Sequence, residues 1–157
     1  MSRLLTAAAR QSMNAAETQD AFLVLLTLSH ADLAEPLRVT SGGEDVASRG
    51  DVFAAYPFEL SLPGDNAGTP PEARLAIDNI DRQIVRAVRS LSSAPDVLIE
   101  VVRAAAPDVV EAKFEDFRLT DVVYDAHLVQ GNLTIEDFTA EPFPAATFSP
   151  GYFPGLF

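Results

Sequence analysis

Apolar residues recur along this chain mainly at every second position or in short unbroken runs, and seldom at helical spacing. Both patterns belong to strands: alternation marks a strand with one buried face, and a short apolar run marks one buried on both. The strongest run is residues 21–29 (AFLVLLTLS), and Pro36 after the polar stretch 30–35 argues against continuing it as a buried helix. Residues 37–40 and 45–47 flank Ser41-Gly42-Gly43, and Arg49-Gly50-Asp51 leads into 52–62, which predicts a meander of short antiparallel strands. Pro57 removes a ladder donor from the last of these, so that strand is expected at an edge or with a bulge. Residues 63–71 (PGDNAGTPP) read as a loop.

The second half continues in the same idiom. A strand over 72–77 places Ala73, Leu75 and Ile77 on one face, and Asp78-Asn79 are good capping residues for a helix over 81–91. That helix carries an apolar stripe of Ile84, Val85, Val88 and Leu91, with Arg82, Arg86 and Arg89 on another side. Strands are predicted over 97–102, 109–114, 117–123 and 126–135, the last two joined around Tyr124-Asp125 and the final one interrupted at Gly131-Asn132. Residues 4–18 are alanine-rich without proline or glycine, and predict a short helix that leads into the domain rather than building its core. The fold class is therefore mainly β with a few short helices (α+β): a β-sandwich or small barrel, with one helix ahead of the strands and one inserted among them.

Residues 141–157 break the pattern. They hold five aromatics, four prolines and two glycines, with no charge after Glu141. Four prolines exclude both helix and central strand, and the aromatics carry too much apolar area to stay in water, so an extended arm docked on a surface is expected. Three segments follow: an N-terminal helical arm over 1–20, a β-rich domain over 21–140, and the C-terminal arm over 141–157. Phe143, Phe148, Tyr152, Phe153, Leu156 and Phe157 are its candidate interface residues.

Composition narrows the function. A chain of 157 residues with 48% hydrophobic and 22% charged residues suits a single globular domain. Its longest apolar run is too short to span a bilayer, and the first twenty residues lack the apolar centre of a secretory signal. The net charge of −12 argues against a nucleic-acid surface. The absence of cysteine removes disulfides, thiolate nucleophiles and cysteine-ligated metal centres.

Candidate chemistry is sparse. Asp121, Asp125 and His127 fall on one strand face, a conceivable divalent-metal set, but alternation alone often produces this pattern and a plain solvated face explains it better. Ser29, His30 and Asp32 lie together at a strand end, without the sharp elbow that presents a nucleophile. The acidic pairs Glu115/Asp116 and Glu136/Asp137 point to opposite faces of a strand and form no site by themselves. Arg49-Gly50-Asp51 matches an adhesion tripeptide, but a hairpin needs glycine there in any case. Ser41-Gly42-Gly43 lacks the lysine and helix of a phosphate loop. Arg82, Arg86 and Arg89, on so acidic a chain, suit carboxylates, its own or a partner's, or a solvated face better than phosphates.

The order of the pieces carries a resemblance. An apolar strand at 22–29, SRGDVFAAYPFEL at 48–60, a proline-rich loop, ARLAIDNIDRQIVRAV at 73–88 and VLIEVVRAAAPDVVE at 97–111 together resemble the minor tail proteins of long-tailed phages. The likeness is to the N-terminal domain of the lambda-type tail-tip protein L, and spans residues 22–148. It implies a hub-type β domain at the distal end of a tail tube, in the virion, made in the host cytoplasm. The implied partners are a distal tail or tube protein, a central hub or fibre protein, and copies of the chain in a three- or six-fold ring. It implies no catalytic residue, cofactor, metal, nucleic acid or membrane insertion. The lambda-type protein continues into a cysteine-rich region carrying an iron–sulfur cluster, whereas this chain has no cysteine. Residues 141–148 fall within the likeness and are expected to stay with their own domain, and residues 152–157 to touch another subunit. The expected role is structural, with a carbohydrate- or receptor-binding module as the alternative and a hydrolase using the Asp121/Asp125/His127 face a distant third.

Overall fold

A computed structural model of the protein describes residues 5–18, 20–61, 73–78, 90–125 and 128–135, together with Gly155. The helix expected over 81–91 lies, as far as Arg89, outside these residues, as does the C-terminal arm apart from Gly155. Among the described residues a short helix α1 (Ala7–Asn14) precedes nine strands: β1 (Phe22–Ser29), β2 (Leu37–Thr40), β3 (Val46–Ser48), β4 (Asp51–Ala55), β5 (Phe58–Ser61), β6 (Ala73–Asp78), β7 (Asp96–Arg103), β8 (Ala106–Tyr124) and β9 (Leu128–Ile135). They form one mixed sheet in the order β3-β4-β2-β1-β7-β8-β9-β6-β5. A mainly β fold is what the alternating pattern predicts.

That order, taken with the chain itself, rolls the sheet into a barrel. β4 and β5 stand near opposite ends of the sheet, yet only Tyr56 and Pro57 separate them in sequence, so the two ends must meet. The seam is visible in the hydrogen bonds. The Tyr56 N–H donates to the Thr40 carbonyl on β2 at 3.2 Å, and the Pro57 carbonyl accepts from the Asp78 N–H at the end of β6 at 3.0 Å. Pro57 was expected at an edge or a bulge; it instead marks where one strand changes partners. Having no N–H, it cannot extend the ladder with β2, and the chain bends there to pair with β6.

The meander expected after β1 is corrected. β3 and β4 form the hairpin around Arg49-Gly50, but β4, not β3, lies beside β2, and it runs parallel to it. The Ser41–Asp45 stretch is a crossover rather than a tight turn: the Ser41 N–H bonds the Val24 carbonyl at 3.0 Å, and the Asp45 carboxylate accepts the Ala55 N–H at 2.8 Å. The two strands predicted over 109–114 and 117–123 are also one. Register shifts opposite Val97/Ile99 and Asp116 at φ +69 place a bulge in the gap between those two predicted strands, and the strand curves through it. Nor does Gly131 interrupt β9. A Cβ there would stand 2.6 Å from Leu119 Cδ1, so glycine is required by the Leu119 side chain, not by a turn.

Two cores follow from β1. Leu25 and Leu26 are adjacent and both fully buried, which places them on opposite faces of the sheet. Leu26 and Leu28 join Val39, Leu75, Ile77, Ile99, Phe117 and Leu133 in the barrel interior. Leu25 joins Phe53 and Val102 in a smaller outer cluster, which the β3–β4 hairpin covers with Val46. Each such side chain removed from water contributes about 1.5–3 kcal/mol.

The N-terminal helix is docked, not merely a lead-in. Ala9 is fully buried, and Thr6, the N-cap, accepts the Ala9 N–H at 3.1 Å while reaching across to Glu111 on β8. An eight-residue helix is marginal in water by itself, so this anchorage is what keeps it formed.

Candidate functional site

Most residues singled out from the sequence fall outside the described part: Phe143, Phe148, Tyr152, Phe153, Leu156 and Phe157, the stripe of Arg82, Arg86 and Arg89, and His127. Four polar groupings are on view, and the chemistry of each is decided by what its side chains already hold.

The Arg-Gly-Asp turn is closed on itself. Arg49 and Gly50 adopt φ +53 and +89, the left-handed pair a two-residue hairpin demands. The Arg49 guanidinium bonds both oxygens of Glu100 on β7, at 2.9 and 2.5 Å, and Asp51 pairs with Arg38 at 3.1 Å. The bidentate hydrogen bonds to Glu100 hold Arg49 above the ordinary arginine range. Neither charge of the tripeptide is offered outward as an adhesion ligand. Arg49 instead neutralises Glu100, buried opposite Leu25.

Beside α1, the buried Glu111 carboxylate accepts the Thr6 N–H at 2.9 Å, the Thr6 hydroxyl at 2.8 Å and the Arg103 Nε–H at 3.0 Å, and Arg103 also pairs with Asp20 at 3.1 Å. Burial pushes the Glu111 carboxyl up, but the two Thr6 hydrogen bonds and Arg103 outweigh it and hold it below its ordinary value. Every oxygen of Glu111 is occupied, so this is a structural latch.

At the end of β1, His30, Asp32, Ser92 and Ser93 assemble. His30 Nε2 lies 2.6 Å from Ser93 Oγ, and its Nδ1 lies 3.4 Å from Asp32 Oδ2, a spacing reminiscent of a serine triad although Ser29 takes no part. The tautomer runs the wrong way. The Asp32 backbone N–H donates to Nδ1 at 3.0 Å, so in the neutral imidazole Nδ1 is the acceptor and the ring N–H is Nε2, directed at Ser93. A general base needs the reverse. The Asp32 carboxylate is taken by the Ser92 hydroxyl and N–H at 2.6 and 2.9 Å, which lower its pKa. The cluster ties the loop after β1 to the stretch before β7.

The fourth grouping is open. On the outer face of β5, β6, β9 and β8 lies a groove of about 660 Å³, lined by Glu59, Ser61, Arg74, Ala76, Asp121, Val123, Gln130 and Asn132, with Leu75 and Gly131 beneath. It follows from register. Glu59, Ala76, Gln130 and Val123 are cross-strand neighbours in one row, and Ser61, Arg74, Asn132 and Thr120 in the next. Ala76 keeps the floor low between longer side chains, whereas Gly131, like Leu75, faces the barrel interior. Asp121 adopts φ +52 in the irregular pairing between Thr120 and Val123, and its carboxylate accepts the Asn132 amide at 3.3 Å.

Asp121 and Asp125 thus have separate tasks: Asp125 accepts the Leu128 N–H at 2.8 Å and closes the β8–β9 turn. Among the described residues no set of three histidine or acidic side chains is arranged to hold a metal ion. Sequence reasoning missed Glu59, Arg74, Gln130 and Asn132. Their exposed places in alternating strands were legible, but nothing local marked β5, β6, β9 and β8 as neighbours.

The architecture defines a class: a small closed β-barrel with a docked helical arm and a polar groove on its wall. A family model described as a domain of unknown function, DUF1833, matches residues 8–148, and the chain belongs to that family. No curated protein matches it. Among the described residues no helix is long and apolar enough to cross a membrane.

Proposed function

We propose that the protein is a structural component of a phage tail tip or baseplate hub, joining the distal tail tube to the central hub or fibre as a ring of copies. The observation that carries this reading is the ordered series of pieces over residues 22–148 that resembles the lambda-type tail-tip proteins. It runs with the stretch over which the chain matches its family, residues 8–148. A closed barrel supports the role physically, because it is a rigid body whose ladder is mostly satisfied internally and which joins neighbours through appended segments rather than exposed edges. Ring symmetry would then multiply each weak contact. The test is a tagged copy expressed during particle production: it should co-purify with intact tails and label the end distal to the head. Purified particles devoid of the protein would sink the reading. A second reading, a carbohydrate- or receptor-binding module, is favoured by one observation, the open polar groove.

A further inference from the structure

We infer that the groove on the β5-β6-β9-β8 face is a binding site for a neutral oligosaccharide. This deepens the second reading above and does not depend on the assembly role. Its volume of about 660 Å³ lies within the range of small-ligand sites and suits a chain of a few sugar rings.

The lining selects the ligand class by elimination. Glu59 and Asp121 flank Arg74, so the groove carries more negative than positive charge on a chain of net −12, which disfavours phosphates, sulfates and acidic sugars. An apolar peptide would find only Val123, 69% exposed, and the small Ala76. What the groove does offer is a dense array of hydrogen-bonding side chains: two carboxylates, two amides, a guanidinium and a hydroxyl. Vicinal hydroxyls, each both donor and acceptor, are the chemistry that satisfies such an array.

The groove is also unspent, in contrast to the other three clusters. Among the described residues, Glu59, Arg74 and Gln130 are exposed and tied to no other side chain by a hydrogen bond or ion pair. The one internal bond, Asn132 to Asp121 at 3.3 Å, is long and leaves the second Asp121 oxygen available. Asp121 sits here with a left-handed backbone, a conformation uncommon for residues other than glycine, although less so for aspartate, and frequent at functional sites. The aromatic platform expected of a sugar site is missing from the described lining, so binding rests on hydrogen bonds and should be weak, in the millimolar to high micromolar range, about 4–6 kcal/mol.

The experiment is an NMR titration of the full chain with tetrasaccharides of glucose, mannose, galactose, rhamnose and N-acetylglucosamine. At least one should shift the backbone amides of Arg74, Gln130 and Asn132 together, with saturation. Asp121→Asn, which tolerates the same backbone, and Arg74→Ala should each weaken that sugar about tenfold while leaving thermal stability unchanged. Glu115→Gln, outside the groove, should change nothing. Absence of saturable shifts from all five sugars, shifts that map elsewhere, or unweakened binding in both groove variants would overturn the proposal. None of these outcomes bears on whether the protein joins a tail.

Discussion

Glu100 and Glu111 are both nearly inaccessible carboxylates, and each is neutralised in a different way. Glu100 depends on one side chain, Arg49. Arg49→Ala would leave a buried charge unpaired, and equilibrium denaturation should show a loss of about 2–3 kcal/mol, at the low end for a broken buried pair because the guanidinium is 40% exposed. The double change Arg49→Leu with Glu100→Leu should recover most of that loss, since Leu25 and Val102 already form an apolar surround. A double variant no more stable than the single one would contradict this account. At Gly131 the constraint is steric: Gly131→Ala brings a methyl to 2.6 Å from Leu119 Cδ1, and should cost about 1–3 kcal/mol. Pairing it with Leu119→Val should return part of that cost, because the obstacle is the end of that side chain.

Helix α1 is the element whose stability depends most plainly on a titrating group. The folded Glu111 pKa lies below its ordinary value of 4.5, so its contribution is present in full above that value and is lost as pH falls through the lower, folded one. The expected result is that backbone amides in Ala7–Asn14 lose exchange protection below about pH 4.5 while those of β1 and β7 keep theirs. Thr6→Ala removes both the cap and a donor to Glu111. It should destabilise the helix by about 1–2 kcal/mol at neutral pH and flatten the pH dependence. Equal loss of protection in α1 and β1 would mean that the helix unfolds only with the barrel.

At the scale of the whole molecule, the barrel and the assembly segments should separate. Deleting residues 143–157 should leave a barrel with an unchanged β-type circular dichroism spectrum and a cooperative melt, but one that no longer enters tails. If the shortened chain unfolds instead, those residues belong to the core and the assembly reading loses its main physical support. The −12 charge acts at this scale too, keeping free copies apart in dilute salt until specific contacts outweigh the repulsion.

Strand content, the two-sided burial of residues 22–29, the buried face of Ala73, Leu75 and Ile77, and the hairpin at Arg49-Gly50 were determined by the sequence alone, because each rests on neighbours within a few positions. The same local logic misread Asp116 and Gly131. A gap between predicted strands and a glycine both suggest a break, whereas here Asp116 sits in a bulge of one continuous strand and Gly131 yields space to Leu119, a residue on the adjoining strand. The change of partner at Tyr56-Pro57, the parallel pairing of β2 with β4 and the groove were decided only by tertiary structure. Each depends on which distant backbone supplies the next hydrogen bond, and a period of two tells which side chains share a face of a strand but not which strand lies beside it.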